Sequence, residues 1–454
     1  MKSIITGFII MMAIAFAGNT LLADDLPSPK EMLGKVNAEL EKGLKLWYPR
    51  SVDPRGGYHS IFDQDWTLKP YETKGIVQQS RMVWTAAEVA LRRPDHRAQM
   101  EPIAVHGYKF LRDFMWDKEY GGFYWEVKAD GSPLCTDMSE MKHAYGESFA
   151  LYGLANLYRL NGDAEVLDLA KKLFHWIDKY GHDAKYGGYR EAWYRDGRQM
   201  NAPPKDRPDQ IKGKTREMLG DKSMNTHLHL LEAFTELYRV WPDPVLRSRL
   251  AELLVIMRDK VPTWPGAMRQ FFRYDWTPAA TYVSFGHDIE CTYLMEEAEI
   301  ILGNPSAKKT LEVGRSFVDH ALQFGWDEKY GGFFYDGATF GVPADTSKFW
   351  WVQAEGLNTL LLMHDHYGKE NPEYYRCFIK QWNFIEKHIL DAKYGGWFPL
   401  TDADGSNPRG LDNRFSQVTH GLEKAHLWKT SYHEIRALLN VSDRLKKITE
   451  KEAR

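Results

Sequence analysis

Much of the chemistry open to a chain of this size is excluded by what the sequence lacks. Its 454 residues include three cysteines, Cys135, Cys291 and Cys377, too far apart to form a disulfide framework or a thiolate cage. Buried free thiols are expected at all three. There is no His-Glu-x-x-His zinc motif, and the glycines follow tyrosine as pairs instead of forming a spaced loop before a helix. That leaves no cradle for phosphate or a dinucleotide. Charge of one sign is missing too: 59 Lys and Arg face 62 Asp and Glu, for a net charge of −3. So even a balance argues against a nucleic-acid partner or a basic membrane-surface protein.

Long apolar runs are absent beyond the N-terminus. Met1-Lys2, an apolar stretch from Ile4 to Ala17, and a small residue before the polar start at Asp24 have the form of a secretory signal. The stretch is too short for a stable membrane anchor. Cleavage is expected near Ala23, giving residues 1–23 as a signal peptide and 24–454 as a single catalytic domain that is secreted or periplasmic.

Aromatic residues, by contrast, are plentiful at 14 %, with 16 Trp. They suit a protein that stacks flat apolar faces, sugar rings among them. They also mark a repeat. Asp53-Pro-Arg-Gly-Gly-Tyr58 recurs as Trp116-Asp-Lys-Glu-Tyr-Gly-Gly-Phe-Tyr124, Asp183-Ala-Lys-Tyr-Gly-Gly-Tyr189, Trp326-Asp-Glu-Lys-Tyr-Gly-Gly-Phe-Phe334 and Asp391-Ala-Lys-Tyr-Gly-Gly-Trp397. The second glycines are 65, 66, 144 and 64 residues apart, and a degenerate copy, Trp264-Pro-Gly-Ala-Met-Arg-Gln-Phe-Phe272, fills the double gap. Six units result. Each continues into two amphipathic helical patterns, clearest at 139–160 with 164–180 and at 350–367 with 372–389. The Gly-Gly reads as a tight turn into a short hairpin. Six helical hairpins without polar capping repeats predict an all-α fold, an (α/α)₆ barrel with short β-hairpins on its loops. Two irregular stretches interrupt it: a charged, Pro-rich insertion at 201–222, a candidate lid, and a polar loop at 401–421.

One stretch carries two stripes. In Asn225-Thr-His-Leu-His-Leu-Leu-Glu232 and the residues after it, Leu230, Ala233, Phe234, Leu237 and Tyr238 form an apolar face. Asn225, His229, Glu232 and Glu236 share a polar one, while His227 falls in the apolar sector. A second His-x-x-Glu, His287-Asp-Ile-Glu290, again opens a helical pattern. Histidine suits proton transfer near neutrality, and His229, His287 and His433 lie in polar settings in different repeats. Arg81, Tyr145 with Glu147, and Trp351 with Glu355 one turn on occupy similar places, as does Trp428. Glu140-x-x-His143 and Glu423-x-x-His426 have the spacing of di-iron ligands but lie on short segments in different repeats. No metal and no cofactor are expected.

The combination NTHLHLLEA, SFGHDIE, WWVQAE and WKTSYH, spread from about residue 30 to 440, resembles the N-acylglucosamine 2-epimerase superfamily, and its cellobiose 2-epimerase branch most of all. The resemblance implies an (α/α)₆ barrel that inverts C2 of an unmodified reducing-end sugar without metal or redox cofactor. It implies an acid–base pair at His287 and His433, a further histidine at His229 and an arginine at Arg81. Sugar contacts are implied at Tyr145, Asn225, Glu290, Trp351, Glu355 and Trp428. Chemically, Glu290 and Glu355 are expected to orient imidazoles and sugar hydroxyls, and the orienting group near His287 is Glu290 and that near His433 is Trp428. The partner is then a small carbohydrate, and the protein a monomer or homodimer. Two positions depart from the family's motifs, with Cys291-Thr-Tyr293 where a Trp is common and Ser431 where a Pro is. Related activities share these residues: epimerisation of a monosaccharide or N-acyl sugar, and aldose–ketose isomerisation. A glycoside hydrolase on the same toroid needs instead two carboxylates facing each other across the cleft.

Overall fold

The computed structural model describes residues 26–70, 73–200, 222–279, 282–304, 307–409 and 422–452. The expected signal segment, nearly all of the 201–222 insertion and the second half of the 401–421 loop lie outside the described residues. No described helix is long and apolar enough to cross a membrane.

Twelve long helices dominate: α1 (Pro29–Trp47), α2 (Ile76–Arg92), α3 (Arg97–Phe110), α4 (Ala144–Asn161), α5 (Ala164–Gly181), α6 (Met224–Val240), α7 (Pro244–Val255), α8 (Phe285–Leu302), α9 (Lys308–Phe324), α10 (Trp350–Tyr367), α11 (Glu373–Phe384) and α12 (Tyr432–Glu452). Their ends carry ordinary signals. Asp163 and Asp243 cap α5 and α7, and Gly162 ends α4 in the left-handed region. The even-numbered helices are buried on most of their faces and form an inner ring that closes from α12 back to α2. The odd-numbered ones pack outside. This is the expected (α/α)₆ barrel, with one change of connectivity. Five hairpins run inner helix to outer helix along the chain; the sixth pairs the last helix, α12, with the first, α1. The chain ends thus meet in one unit, and the backbone bridge between Phe62 and Ala425 joins the two.

Each outer helix ends in the Gly-Gly turn, and the chain then pairs with the residues just before its own inner helix. Examples are Lys142↔Trp193, Lys222↔Phe272 and Lys348↔Thr401. The turn's Asp caps the two following amides, as Asp117 does for Glu119 and Tyr120. Both glycines have positive φ, +74° and +70° at Gly121 and Gly122, which only glycine adopts without strain. At Gly396 the second glycine's neighbour is Trp66; in the other four of the five Gly-Gly turns the second lies against a polar side chain at the fourth position of an inner helix, so that a Cβ at Gly188 would come within 2.6 Å of His227 Nε2. That side chain accepts the amide of the residue after the turn. Gln79 accepts from Tyr58, Glu147 from Phe123, His227 from Tyr189 and Gln353 from Phe333. In the degenerate unit Asp288 accepts from Met268.

The same turns hold a feature with no sequence periodicity to announce it, a buried lysine on each turn's aspartate. The pairs are Lys74–Asp53, Lys142–Asp117, Lys222–Asp183, Lys348–Asp327 and Lys424–Asp391, at 2.8–3.2 Å. Burial alone would expel the ammonium, but the carboxylate and a glycine carbonyl compensate it. Lys74, Lys142, Lys222 and Lys348 each stand two residues before an inner helix, so these pins fix where α2, α4, α6 and α10 begin. The expectation of three buried thiols holds for Cys291 and Cys377, whereas Cys135 is exposed on a loop at φ +56°.

Candidate active site

The site is built from the first turns of the inner helices. Counted from each helix start, the second and sixth residues lie one turn apart on the face turned inward. The second positions are Val77, Tyr145, Asn225, Gly286, Trp351 and His433; the sixth are Arg81, Phe149, His229, Glu290, Glu355 and Ala437. Eight of the ten candidate residues therefore occupy two stacked rings. His287 stands at a third position beside them, and Trp428 on the segment entering α12. The upper ring is half-exposed at Tyr145, Asn225 and Trp351, as are His287 and Trp428. Below it Arg81, His229, Glu290 and Glu355 are buried.

Contacts tie these residues into one constellation. Arg81 donates from Nη2 to the Tyr145 hydroxyl (2.9 Å) and from Nη1 to the Trp428 carbonyl (3.1 Å). Its guanidinium lies 4.2 Å from the Phe149 ring centre. Tyr145 meets His229 edge-on at 5.1 Å and Trp428 at 6.3 Å. Opposite, the Trp351 ring lies between His287 and His433, 4.8 Å from one and 5.7 Å from the other. Gly286 makes room for it, since a Cβ there would come within 2.5 Å of the indole. Trp350, its neighbour, is core.

Each of the three histidines has its Nδ1 engaged. His433 Nδ1 donates to Glu355 Oε1 (2.7 Å) and His229 Nδ1 to Glu232 Oε2 (3.0 Å). His287 Nδ1 shares a hydrogen bond with Ser284 Oγ (2.7 Å). Glu355 thus orients an imidazole as expected, that of His433, whereas His287 is held by Ser284 and not by Glu290. An ionised carboxylate only accepts, which puts the proton of His433 and His229 on Nδ1 and leaves the Nε2 lone pair free. Burial lowers all three: His287 to about 4, His229 to about 3, and His433 well below the ordinary histidine value. The negative charge of Glu290 works the other way on His287 and His229, favouring a proton once one arrives.

Sequence reasoning missed Arg436. It lies one turn after His433 and donates to Glu232, Glu290, Glu355 and the Tyr432 hydroxyl. The His-x-x-Arg spacing at the start of α12 was the signal, hidden in a helix that reads as generally charged. Tyr293, at the position where the family often has Trp, donates to Glu355 Oε2 (2.9 Å). Ser431, in place of the motif's proline, bonds the Tyr48 hydroxyl.

Other polar residues singled out by sequence have structural work. His143 Nδ1 accepts the Tyr145 amide, and His426 Nδ1 accepts those of Trp428 and Lys429, so both Glu-x-x-His histidines shape turns. Glu147 belongs to the Gly-Gly turn. Glu232, Glu290 and Glu355 all converge on one guanidinium, unlike a hydrolase's acid and nucleophile facing each other across a cleft.

Residues 56–413 match the family model of N-acylglucosamine 2-epimerase. The chain belongs to the N-acylglucosamine 2-epimerase family. It is 32 % identical over 403 residues to the cellobiose 2-epimerase of Bacteroides fragilis, an alignment covering 88 % of this chain and 95 % of that one. The structure of cellobiose 2-epimerase from Spirochaeta thermophila superposes with a TM-score of 0.79 at 31 % identity, covering 93 % and 98 % of the two chains. A more distant relative, the D-mannose isomerase of Marinomonas mediterranea, is 23 % identical over 423 residues, 89 % of this chain and 96 % of that one. Membership in this epimerase family makes the chain a carbohydrate epimerase or isomerase, an enzyme of the isomerase class.

Proposed function

We propose that the enzyme inverts C2 of the reducing-end aldose of a disaccharide, with His287 and His433 as its two proton-transfer groups. The observation that carries this reading is the pair of imidazoles flanking one tryptophan. Both have Nδ1 engaged and Nε2 available, and they project from different inner helices. Inverting C2 requires an open-chain sugar, loss of the proton alpha to the C1 carbonyl, and its return to the opposite face. A neutral imidazole removes the proton and leaves a planar cis-enediolate; the other, which has taken up a proton from water at Nε2 before the step, delivers it from the far side as an imidazolium, and the roles exchange in the reverse direction.

Arg81 stabilises the oxyanion that develops at C1 as a fixed charge in a dry site. Trp351 and Trp428 stack on the apolar faces of the sugar. Asn225, whose buried Oδ1 has no partner among the described residues, accepts from a sugar hydroxyl, and Tyr145 contacts the sugar beside Arg81. His229, fixed by Glu232, meets the substrate from the lower ring, and Glu290 and Glu355 hold charge beneath it. The disaccharide rests on the two cellobiose 2-epimerases among the relatives. The D-mannose isomerase relative favours a second reading, in which the same enediolate is reprotonated at C1 to give a ketose. We also propose that residues 1–23 are removed on export.

Incubation with cellobiose, mannobiose, N-acetylglucosamine and mannose in D₂O, followed by product NMR, tests the assignment. The expected product is the 2-epimer of a disaccharide with deuterium at C2. Ketose alone supports the second reading, and free monosaccharides from cellobiose overturn both. Turnover is expected to survive EDTA.

A further inference from the structure

Arg436 is not needed to touch the sugar, yet it is the most heavily bonded side chain of the site. We propose that Arg436 is a positioning residue: its guanidinium is the resident counter-cation that keeps Glu232, Glu290 and Glu355 ionised and fixed, and so decides which ring nitrogen His229 and His433 present to the substrate. This rests on reading His433 as a proton-transfer group.

The geometry is that of a hub. Arg436 is 2 % exposed. Nη1 binds Glu232 and the Tyr432 hydroxyl, and Nη2 binds Glu290 and, at 2.7 Å, Glu355. The three carboxylates come from α6, α8 and α10, so one cation from α12 gathers four of the six inner helices. Ligand atoms of Glu290, Glu355 and His433 lie within 4.8 Å of one another, close enough to share a cation. The cation that meets both carboxylates there is the Arg436 guanidinium. Arg81, the other arginine of the site, bonds only neutral oxygens. One arginine is therefore left for the substrate and the other is consumed by the protein.

Electrostatics gives the hub its consequence. Burial raises all three carboxyls toward their neutral forms, and for Glu232 and Glu355 the largest opposing influence is the Arg436 charge. For Glu290 the neighbouring Glu355 adds to the rise, and Arg436 again opposes it. Without the guanidinium, Glu355 takes up a proton. A protonated carboxyl donates to His433 Nδ1 instead of accepting from it; the ring's own proton then sits on Nε2, and the lone pair needed at C2 is gone. The same holds for Glu232 and His229.

Arg436 also lines a polar cavity of about 180 Å³ together with Tyr293, Glu297, Asn440 and Arg159. Its Nε has no partner among the described residues. A small cation in solution therefore has a compartment adjoining the position of the guanidinium.

The test uses the full chain carrying Arg436→Met, Arg436→Ala or Arg436→Lys. Loss of the charge is expected to lower kcat on the order of 10²-fold with KM changed by only a few-fold. Long-range ¹H–¹⁵N spectra should show the His433 proton on Nδ1 in the parent and on Nε2 in Arg436→Met. Added methylguanidinium should restore kcat of Arg436→Ala in a saturable way, and Arg436→Lys should retain part of it. A folded Arg436→Met enzyme with parental kcat and His433 tautomer overturns the proposal. So does lost activity with the tautomer unchanged and no rescue by lysine or methylguanidinium. Should Arg436→Met and Arg436→Ala fail to fold, Arg436→Lys carries the test, and parental kcat dependence on pH with a displaced His433 tautomer counts against it. The tautomer is read without turnover, whereas failure of the histidine assignment shows as an active His433→Asn enzyme with Arg436 intact.

Discussion

His433 points its Nδ1 at Oε1 of Glu355, 2.7 Å away and 78 residues earlier in the chain. A histidine held this way is a base on its other nitrogen. The pairing turns a motif match into a mechanism with consequences that can be measured.

Replacing His287 or His433 by Asn should reduce kcat by at least about 10²-fold while leaving the fold intact. Circular dichroism checks the fold, and single-substrate kinetics with deuterium incorporation at C2 checks the chemistry. Near-parental turnover in either variant would remove that histidine from the proton-transfer pair.

The acid side of the pH profile should lie below the range of an ordinary imidazole. A base works only when neutral, and burial holds His287 neutral down to about 4. Activity per folded molecule is therefore expected to persist at pH 5–6. Stability runs against it. His143, His227 and His426 have folded values of about 4, 4 and 3, so the unfolded chain binds more protons below pH 6.5. Stability is lost as pH falls from there toward the folded values, by up to about 1.4 kcal/mol per pH unit for each group. Paired pH–rate and pH–melting curves separate the two effects. An acid limb at pH 6.5 without unfolding would contradict the assignment.

His227→Ala should cost about 1–3 kcal/mol, because the buried Tyr189 amide loses its acceptor. His227→Gln should recover much of this, since glutamine does the same work at Gln79 and Gln353. Neither change should alter kcat per folded molecule, as urea titration alongside kinetics can show.

Glu147→Gln is expected to stabilise the protein at neutral and alkaline pH. Burial pushes the Glu147 carboxyl up to about 8, so ionising it costs the folded state as pH rises above the unfolded value. Glutamine still accepts the Phe123 amide and carries no charge. A melting temperature lower than the parent's at pH 9 would show that the charge of Lys142 nearby outweighs burial.

The six-unit ring was legible in the chain because a glycine pair held at positive φ is hard to replace, and it therefore recurs at five of the six turns. The histidines, Trp351 and Glu355 were legible because each lies in a polar or aromatic cluster in the first turns of a helical pattern. Other features became visible only in three dimensions. Six hairpins in series are indistinguishable from five plus a split one until α1 is seen packed on α12. The five lysines that pin the turns are 21–39 residues from their aspartates along the chain, a spacing that varies with loop length and so leaves no period. Arg436 reaches Glu232 across 204 residues, Glu290 across 146 and Glu355 across 81. Local sequence sets which face each inner helix turns inward. Which charges then meet depends on the closure of the ring, because burial makes each of those charges unstable alone and stable only beside a partner from another helix.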